Sequence, residues 1–126
     1  MRTIRDDAFD ALAALRDGGE KFDVVIVDPP AFVKRKRDLG KGAAAYRKLN
    51  QLAMQLLGRD GWLVSCSCSY HMPQQELVAA IQQAARHLSR MVQIVEIGGH
   101  APDHPLHPAI PETQYLKALF CRVTHE

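Results

Sequence analysis

Apolar residues in this chain fall into two kinds of pattern. Some are short continuous runs and some recur every third or fourth position, and the two kinds alternate. Phe9, Leu12 and Ala13 share one face of a helix predicted over residues 8–16, capped by Asp6 or Asp7 and ended by Gly18-Gly19. Phe22-Asp23-Val24-Val25-Ile26-Val27 then reads as a strand covered on both faces, as in a parallel sheet. Residues 31–42 read as a loop with glycines at 40 and 42. Tyr46, Leu49, Leu52, Ala53, Leu56 and Leu57 mark a second helix over 43–57, stopped by Gly58 and Asp60-Gly61. A second strand covers Trp62 to Cys68. A third helix opens with Pro73 in its first turn and has Leu77, Ala80, Ile81, Ala84 and Leu88 on its apolar face. Val92 to Ile97 and Tyr115 to Val123 are the last strands, separated by a loop over 98–114 that contains Pro102, Pro105, Pro108 and Pro111. No helix fits between these two strands, so antiparallel pairing is expected.

The order helix, strand, helix, strand, helix, strand, loop, strand predicts a doubly wound α/β domain with a reversed edge strand. Because a helix opens it, with no strand before, the pattern reads as a sheet cut partway along. A length of 126 residues, 47% apolar and 24% charged, suits one globular domain. No apolar run is long enough to span a bilayer, and the charged start is no secretory signal. Three cysteines, an odd number, speak against a disulfide framework and for a reducing, cytoplasmic setting. A net charge of +2 leaves nucleic acid open, so the distribution matters more than the sum. The cluster Lys34-Arg35-Lys36-Arg37 is the one basic run, and Arg47 and Lys48 extend it.

Candidate chemistry collects at the strand ends. Asp28 follows the first strand at its carboxyl end, where open α/β sheets bind ligands. Pro29 and Pro30 stiffen the next turn and remove two amide donors, and Phe32 offers a flat surface. Such a pocket suits a planar substrate such as a nucleobase. Cys68 ends the second strand between Ser67 and Ser69. Cys66 lies two residues earlier and Cys121 inside the last strand, and both read as core. His104 lies in the proline-rich loop with His100 and His107 nearby; the prolines suit a rigid substrate loop better than a metal site.

These pieces, in this order, resemble the carboxyl-terminal half of a class I S-adenosylmethionine-dependent methyltransferase. More narrowly, the chain is similar to the bacterial family that methylates carbon 5 of a cytosine in large-subunit ribosomal RNA. The resemblance runs through Arg5-Asp6-Asp7-Ala8-Phe9, the stretch Phe22 to Val33, Ser67-Cys68-Ser69, Asp103-His104-Pro105 and Tyr115-Leu116-Lys117. It implies a partial Rossmann-like sheet with flanking helices. It also implies S-adenosylmethionine as cofactor, ribosomal RNA as partner, and Cys68 as a nucleophile that adds to the cytosine ring while Asp28 orients the base. Asp7, Asp28 and Pro29 are the expected cofactor contacts. Pro30, Phe32, Lys34, Arg35, Lys36, Arg37, His104, Tyr115 and Lys117 are the expected RNA contacts. Family members carry a glycine-rich loop and an acidic strand end upstream, and a small RNA-binding domain; this sequence has no G-x-G-type loop. The expectation is therefore a catalytic fragment, inactive alone, that pairs with a missing amino-terminal half or with a second copy. Two other readings stay open: methylation of an exocyclic amine by the Asp28-Pro29-Pro30 piece, and a non-catalytic RNA-binding or assembly remnant.

Overall fold

A computed structural model of the protein describes residues 3–69, 71–98 and 117–125. Helix α1 (Ala8–Asp17) starts where Asp7 Oδ1 accepts from the Phe9 and Asp10 amides at 2.9 and 3.3 Å. Of the two candidate caps, Asp7 is the one that acts. The chain leaves α1 through Gly18 and Gly19, the latter at φ 77°, a left-handed turn that glycine adopts without a Cβ penalty. Strand β1 (Phe22–Val27), helix α2 (Leu39–Gln55), strand β2 (Leu57–Ser67), helix α3 (Gln74–His87) and strands β3 (Arg90–Gly98) and β4 (Lys117–His125) follow.

The sheet order is β1-β2-β4-β3. β1 runs parallel to β2, with Val24 opposite Trp62 and Val27 opposite Ser65. β4 runs antiparallel to both neighbours, so Cys121 faces Leu63 on one side and Ile94 on the other. The last two strands pair as expected, but the reversed strand is not at the edge. Its alternate residues Leu119, Cys121 and Val123 are buried, which fits an interior position, whereas β3 exposes Met91 and Val95 at the margin.

Both long helices lie on one face of the sheet. Tyr46, Leu49, Ala53 and Met54 of α2 and Leu77, Ile81 and Ala84 of α3 meet Val27, Leu63, Leu119 and Cys121 in a single core. On the opposite face Ile26 is 66% exposed, Val24 51% and Trp62 41%. The expectation that the first strand is covered on both faces therefore fails: among the described residues nothing packs over Val24 and Ile26. No helix among the described residues is long and apolar enough to cross a membrane.

The two largest boundary differences from the sequence reading lie at the starts of β2 and α2. β2 begins at Leu57, five residues early, because Phe22 pairs with Leu57 and Asp60 with Thr124 despite the turn-like glycines. α2 begins at Leu39, after a single 3₁₀ turn over Lys36–Asp38, and runs through Gly40 and Gly42. Gly42 is buried against the chain that leaves β1; a Cβ there would overlap the Val33 Cγ2 methyl and press on the Phe32 carbonyl. Gly40 faces open space. Gly42→Ala is expected to destabilise the fold by about 1–3 kcal/mol through overpacking, while Gly40→Ala gains about 0.5–1 kcal/mol of helix propensity. Urea unfolding of the two variants checks this; equal midpoints would show that the close approach of Val33 carries no constraint.

Candidate active site

Two strand tips form the site, and each is shaped by local sequence. β1 ends at buried Val27, and Asp28 emerges exposed with Pro29 half-buried behind it. Aspartates at strand ends often tie down the loop that follows. Asp28 does not: among the described residues no group hydrogen-bonds its carboxylate. β2 ends at Ser67, and the next residue, half-buried Cys68, brings its Sγ to 3.9 Å from the Pro29 carbonyl oxygen. The structure thus places the thiol against the residue that follows Asp28.

The tips are fastened together from below. Odd-numbered residues of β2 point toward the helices, so Ser65, Ser67 and Ser69 are all buried although each is polar. Ser67 Oγ donates to the Tyr46 hydroxyl at 3.0 Å, and that hydroxyl shares a hydrogen bond with Ser69 Oγ at 2.7 Å. Ser69 Oγ also accepts from the Val33 amide at 3.2 Å, while the Ser69 amide donates to Ser67 Oγ at 3.2 Å. Tyr46 is fully buried on α2, and its ring meets Phe32 edge-on with centroids 4.8 Å apart. One side chain therefore holds both the loop after β1 and the residues on either side of Cys68.

A cleft of about 500 Å³ opens between α1 and the β1 tip. Asp7, Phe9, Ile26, Asp28, Pro29 and Phe32 contribute to its walls. Pro30 lines it too, but Cys68 does not, so the cleft and the thiol lie apart with Pro29 touching both. Both cap bonds of Asp7 use the same oxygen, Oδ1. Phe32 is half-buried, with Phe9 at 6.1 Å on one side and Tyr46 on the other, so it serves as a fixed wall.

The other expected residues divide. Lys34, Arg35, Lys36 and Arg37 are all exposed, and Arg35 pairs with Asp38 at 3.0 Å. Lys117, read as an RNA contact or an exposed edge lysine, is half-buried on the interior strand β4, with Nζ donating to the Ser69 carbonyl at 2.8 Å. His104 and Tyr115 lie outside the described residues. Cys66, expected in the core, is half-exposed; burial and then the nearby Asp28 charge push its thiol up. Cys121 is core, and burial pushes its thiol up to about 11. Among the described residues no cluster of three metal-ligating side chains occurs. The sequence reading missed the part played by Tyr46. Its signal was the run Ser65, Ser67, Ser69, small hydroxyl residues at the strand positions that face the helices.

No family model matches the chain. Solved structures do match over nearly all of it. SMU.776, a protein assigned as a methyltransferase and complexed with SAH, superimposes with a TM-score of 0.76 at 18% identity, over 93% of this chain and 30% of that one. The M1.HpyAVI–SAM complex gives 0.58 at 16% identity, over 99% of this chain and 54% of that one. The fold is that of the Rossmann-like methyltransferases. In sequence, the chain is 44% identical over 120 residues to the ribosomal RNA large subunit methyltransferase I of Serratia proteamaculans. It is 43% identical to the protein of that name from Escherichia coli O1:K1. The match covers 95% of this chain and spans 30% of the length of those relatives.

Tyr46→Phe keeps the ring against Phe32 but removes the shared hydroxyl. It leaves the Ser67 and Ser69 hydroxyls short of a buried partner, at an expected cost of about 1–3 kcal/mol. Denaturant unfolding should show that loss, whereas a Phe variant as stable as the parent would mean the hydroxyls are satisfied without Tyr46.

Proposed function

We propose that this chain carries the catalytic portion of an S-adenosylmethionine-dependent methyltransferase acting on carbon 5 of a cytosine in ribosomal RNA. The observation that carries the proposal is the Cys68 thiol lying 3.9 Å from the Pro29 carbonyl, beside the Asp28 tip. The likeness to the Serratia and Escherichia ribosomal RNA methyltransferases supports the substrate class. A cytosine ring is a poor carbon nucleophile, and a thiolate is the group that corrects this. Addition of Cys68 sulfur to carbon 6 forms one bond and moves the ring electrons toward carbon 5. Asp28 holds the base by accepting from the exocyclic amine or, when protonated, by donating to ring nitrogen 3. Once carbon 5 bears the methyl group, loss of its proton to water and rupture of the sulfur–carbon 6 bond return the thiolate.

S-adenosylmethionine would supply the methyl group as an electrophilic carbon on a sulfonium, the sulfur–methyl bond breaking to leave the neutral thioether S-adenosylhomocysteine. The cleft has the size of a small-molecule site, and its largely apolar walls with carboxylates at Asp7 and Asp28 suit an adenosine ring with its amine and hydroxyls. Asp7, Asp28 and Pro29 would hold it. Pro29 and Pro30 then stand between cofactor and target base, with Cys68 on the far side. Pro30 and Phe32 offer the flipped base a wall. Lys34, Lys36 and Arg37 are exposed for phosphate contact, with Arg35 shared with Asp38. Among the described residues the sheet face away from the helices is uncovered and one side of β1 is unpaired, which suits association with the portion of the relatives that this chain does not span. The alternative occupant is a second copy. The reaction belongs in the cytoplasm, with its RNA.

Methylation of an exocyclic amine remains the second reading, favoured by the absence of Cys68 from the cleft walls. The two separate cleanly. The intact chain, alone and supplemented with the amino-terminal portion of the Serratia relative, is incubated with S-adenosylmethionine and ribosomal RNA containing 5-fluorocytidine. Carbon-5 chemistry predicts a covalent protein–RNA adduct that survives denaturing electrophoresis, since fluorine blocks the release step. Cys68→Ala should lose both the adduct and methyl transfer to ordinary RNA. Transfer that continues in Cys68→Ala would overturn the thiol mechanism and support the amine reading.

A further inference from the structure

Positive charge is segregated in this chain. Residues 34–48 hold seven of its sixteen Lys and Arg residues but one of its fourteen Asp and Glu residues, which leaves nine against thirteen elsewhere. That one carboxylate, Asp38, is taken by Arg35 at 3.0 Å. Beyond the 34–37 run the remaining cations lie on α2: Lys41, Arg47 and Lys48, all exposed. A helix face that merely meets water usually interleaves charges of both signs, often four residues apart. α2 has no Asp or Glu in its 17 residues. Lys41 stands in the first turn, the end where the helix dipole disfavours a cation, while the last turn, where one would be favoured, has none. Neither Lys41 nor Lys48 forms an ion pair among the described residues.

The α2 cations flank a ridge. Arg47 reaches toward α3, where its Nη1 donates to Gln83 Oε1 at 3.3 Å. Lys48 reaches toward α1, its Nζ 5.6 Å from the centre of the Phe9 ring. Lys41 precedes Lys48 by seven residues, nearly two turns, so the two share a stripe about 10 Å long. The exposed position between them is Ala44, too short to screen either head. We propose that this stripe is a track for RNA backbone, in which Lys41 and Lys48 contact phosphates that continue from those at the 34–37 run. Phe9 also lines the cleft between α1 and the β1 tip, so the track ends beside the mouth of that cleft. RNA fits better than an acidic protein: a protein partner needs an apolar anchor, and none of the exposed large apolar side chains lies in residues 34–48. The inference rests on the ribosomal RNA reading above and not on the thiol.

The test is fluorescence anisotropy of a short labelled RNA strand of mixed sequence, titrated with the intact chain at several salt concentrations. The double variant Lys41→Gln/Lys48→Gln should bind more weakly. The slope of its log Kd against log salt should be shallower by roughly 0.7 per lysine, about 1.4 for the pair. Lys41→Arg/Lys48→Arg should keep the parent slope. Lys21→Gln, which removes a charge whose ammonium donates to the Gln55 carbonyl at the other end of α2, should keep it too. A second measurement needs no variant: RNA should protect Lys41 and Lys48, but not Lys21, from trace acetylation read by mass spectrometry. A parent chain that does not bind at low salt, a double variant with the parent slope, equal loss in Lys21→Gln, or unprotected Lys41 and Lys48 would each overturn the track. Covalent adduct formation with an unchanged slope would sink the track alone. Methyl transfer that persists in Cys68→Ala beside a lowered slope in the double variant would sink the thiol mechanism alone.

Discussion

Three hydroxyls meet under two strand tips: Tyr46 on α2, and Ser67 and Ser69 on either side of Cys68. In a buried setting each must find a partner or cost about 1–3 kcal/mol, and here each finds it in the others and in the Val33 amide. That need has a geometric result. A loop from β1 and a turn from β2, 36 residues apart in sequence at Val33 and Ser69, are held in one arrangement. The Asp28 carboxylate and the Cys68 thiol inherit their relative position from this arrangement and not from any bond between them. The absence of a Cβ on Gly42 serves the same end, because it lets α2 approach Phe32 and Val33 closely enough for Tyr46 to reach.

Charge is distributed along the same line. Asp28 stays exposed and unbonded among the described residues, which leaves its oxygens for a ligand. Lys117 is drawn inward, its ammonium donating to the Ser69 carbonyl. The basic run after Phe32 stays outside, begun by buried Val33 and turned by a single 3₁₀ turn into α2. Among the described residues the sheet face away from the helices is uncovered, with Ile26, Val24 and Trp62 showing.

The parts of this arrangement that depend on local pattern were readable in the sequence. The run Phe22 to Val27 closed by Asp28-Pro29-Pro30, the periodic faces of α2 and α3, and an aspartate cap at Asp6 or Asp7 each follow from neighbours within one or two turns. What long-range pairing decides was not readable. Gly58, Asp60 and Gly61 have turn chemistry, yet β1 and β4 on either side draw them into β2. Gly40 and Gly42 look like loop residues until Val33 is seen resting on the second of them. β4 was legible as reversed, but its insertion between β2 and β3 depends on the burial of Leu119, Cys121 and Val123. Tyr46 scored as one apolar position among several; its hydroxyl acquires meaning only when two serines from another element meet it. The helix-facing parity of Ser67 and Ser69 was the one hint, since hydroxyls turned toward a core usually find partners there.

The claim that the two tips act as one unit is most directly tested by amide hydrogen exchange at Val33, whose N–H is donated to the buried Ser69 hydroxyl. If the account is right, Val33 exchanges slowly, in step with core amides of β2 such as Leu63, while Lys34 to Arg37 beside it exchange freely. Val33 exchanging as fast as its basic neighbours would mean that the loop after Asp28 moves independently of Cys68, and the shared site would not exist.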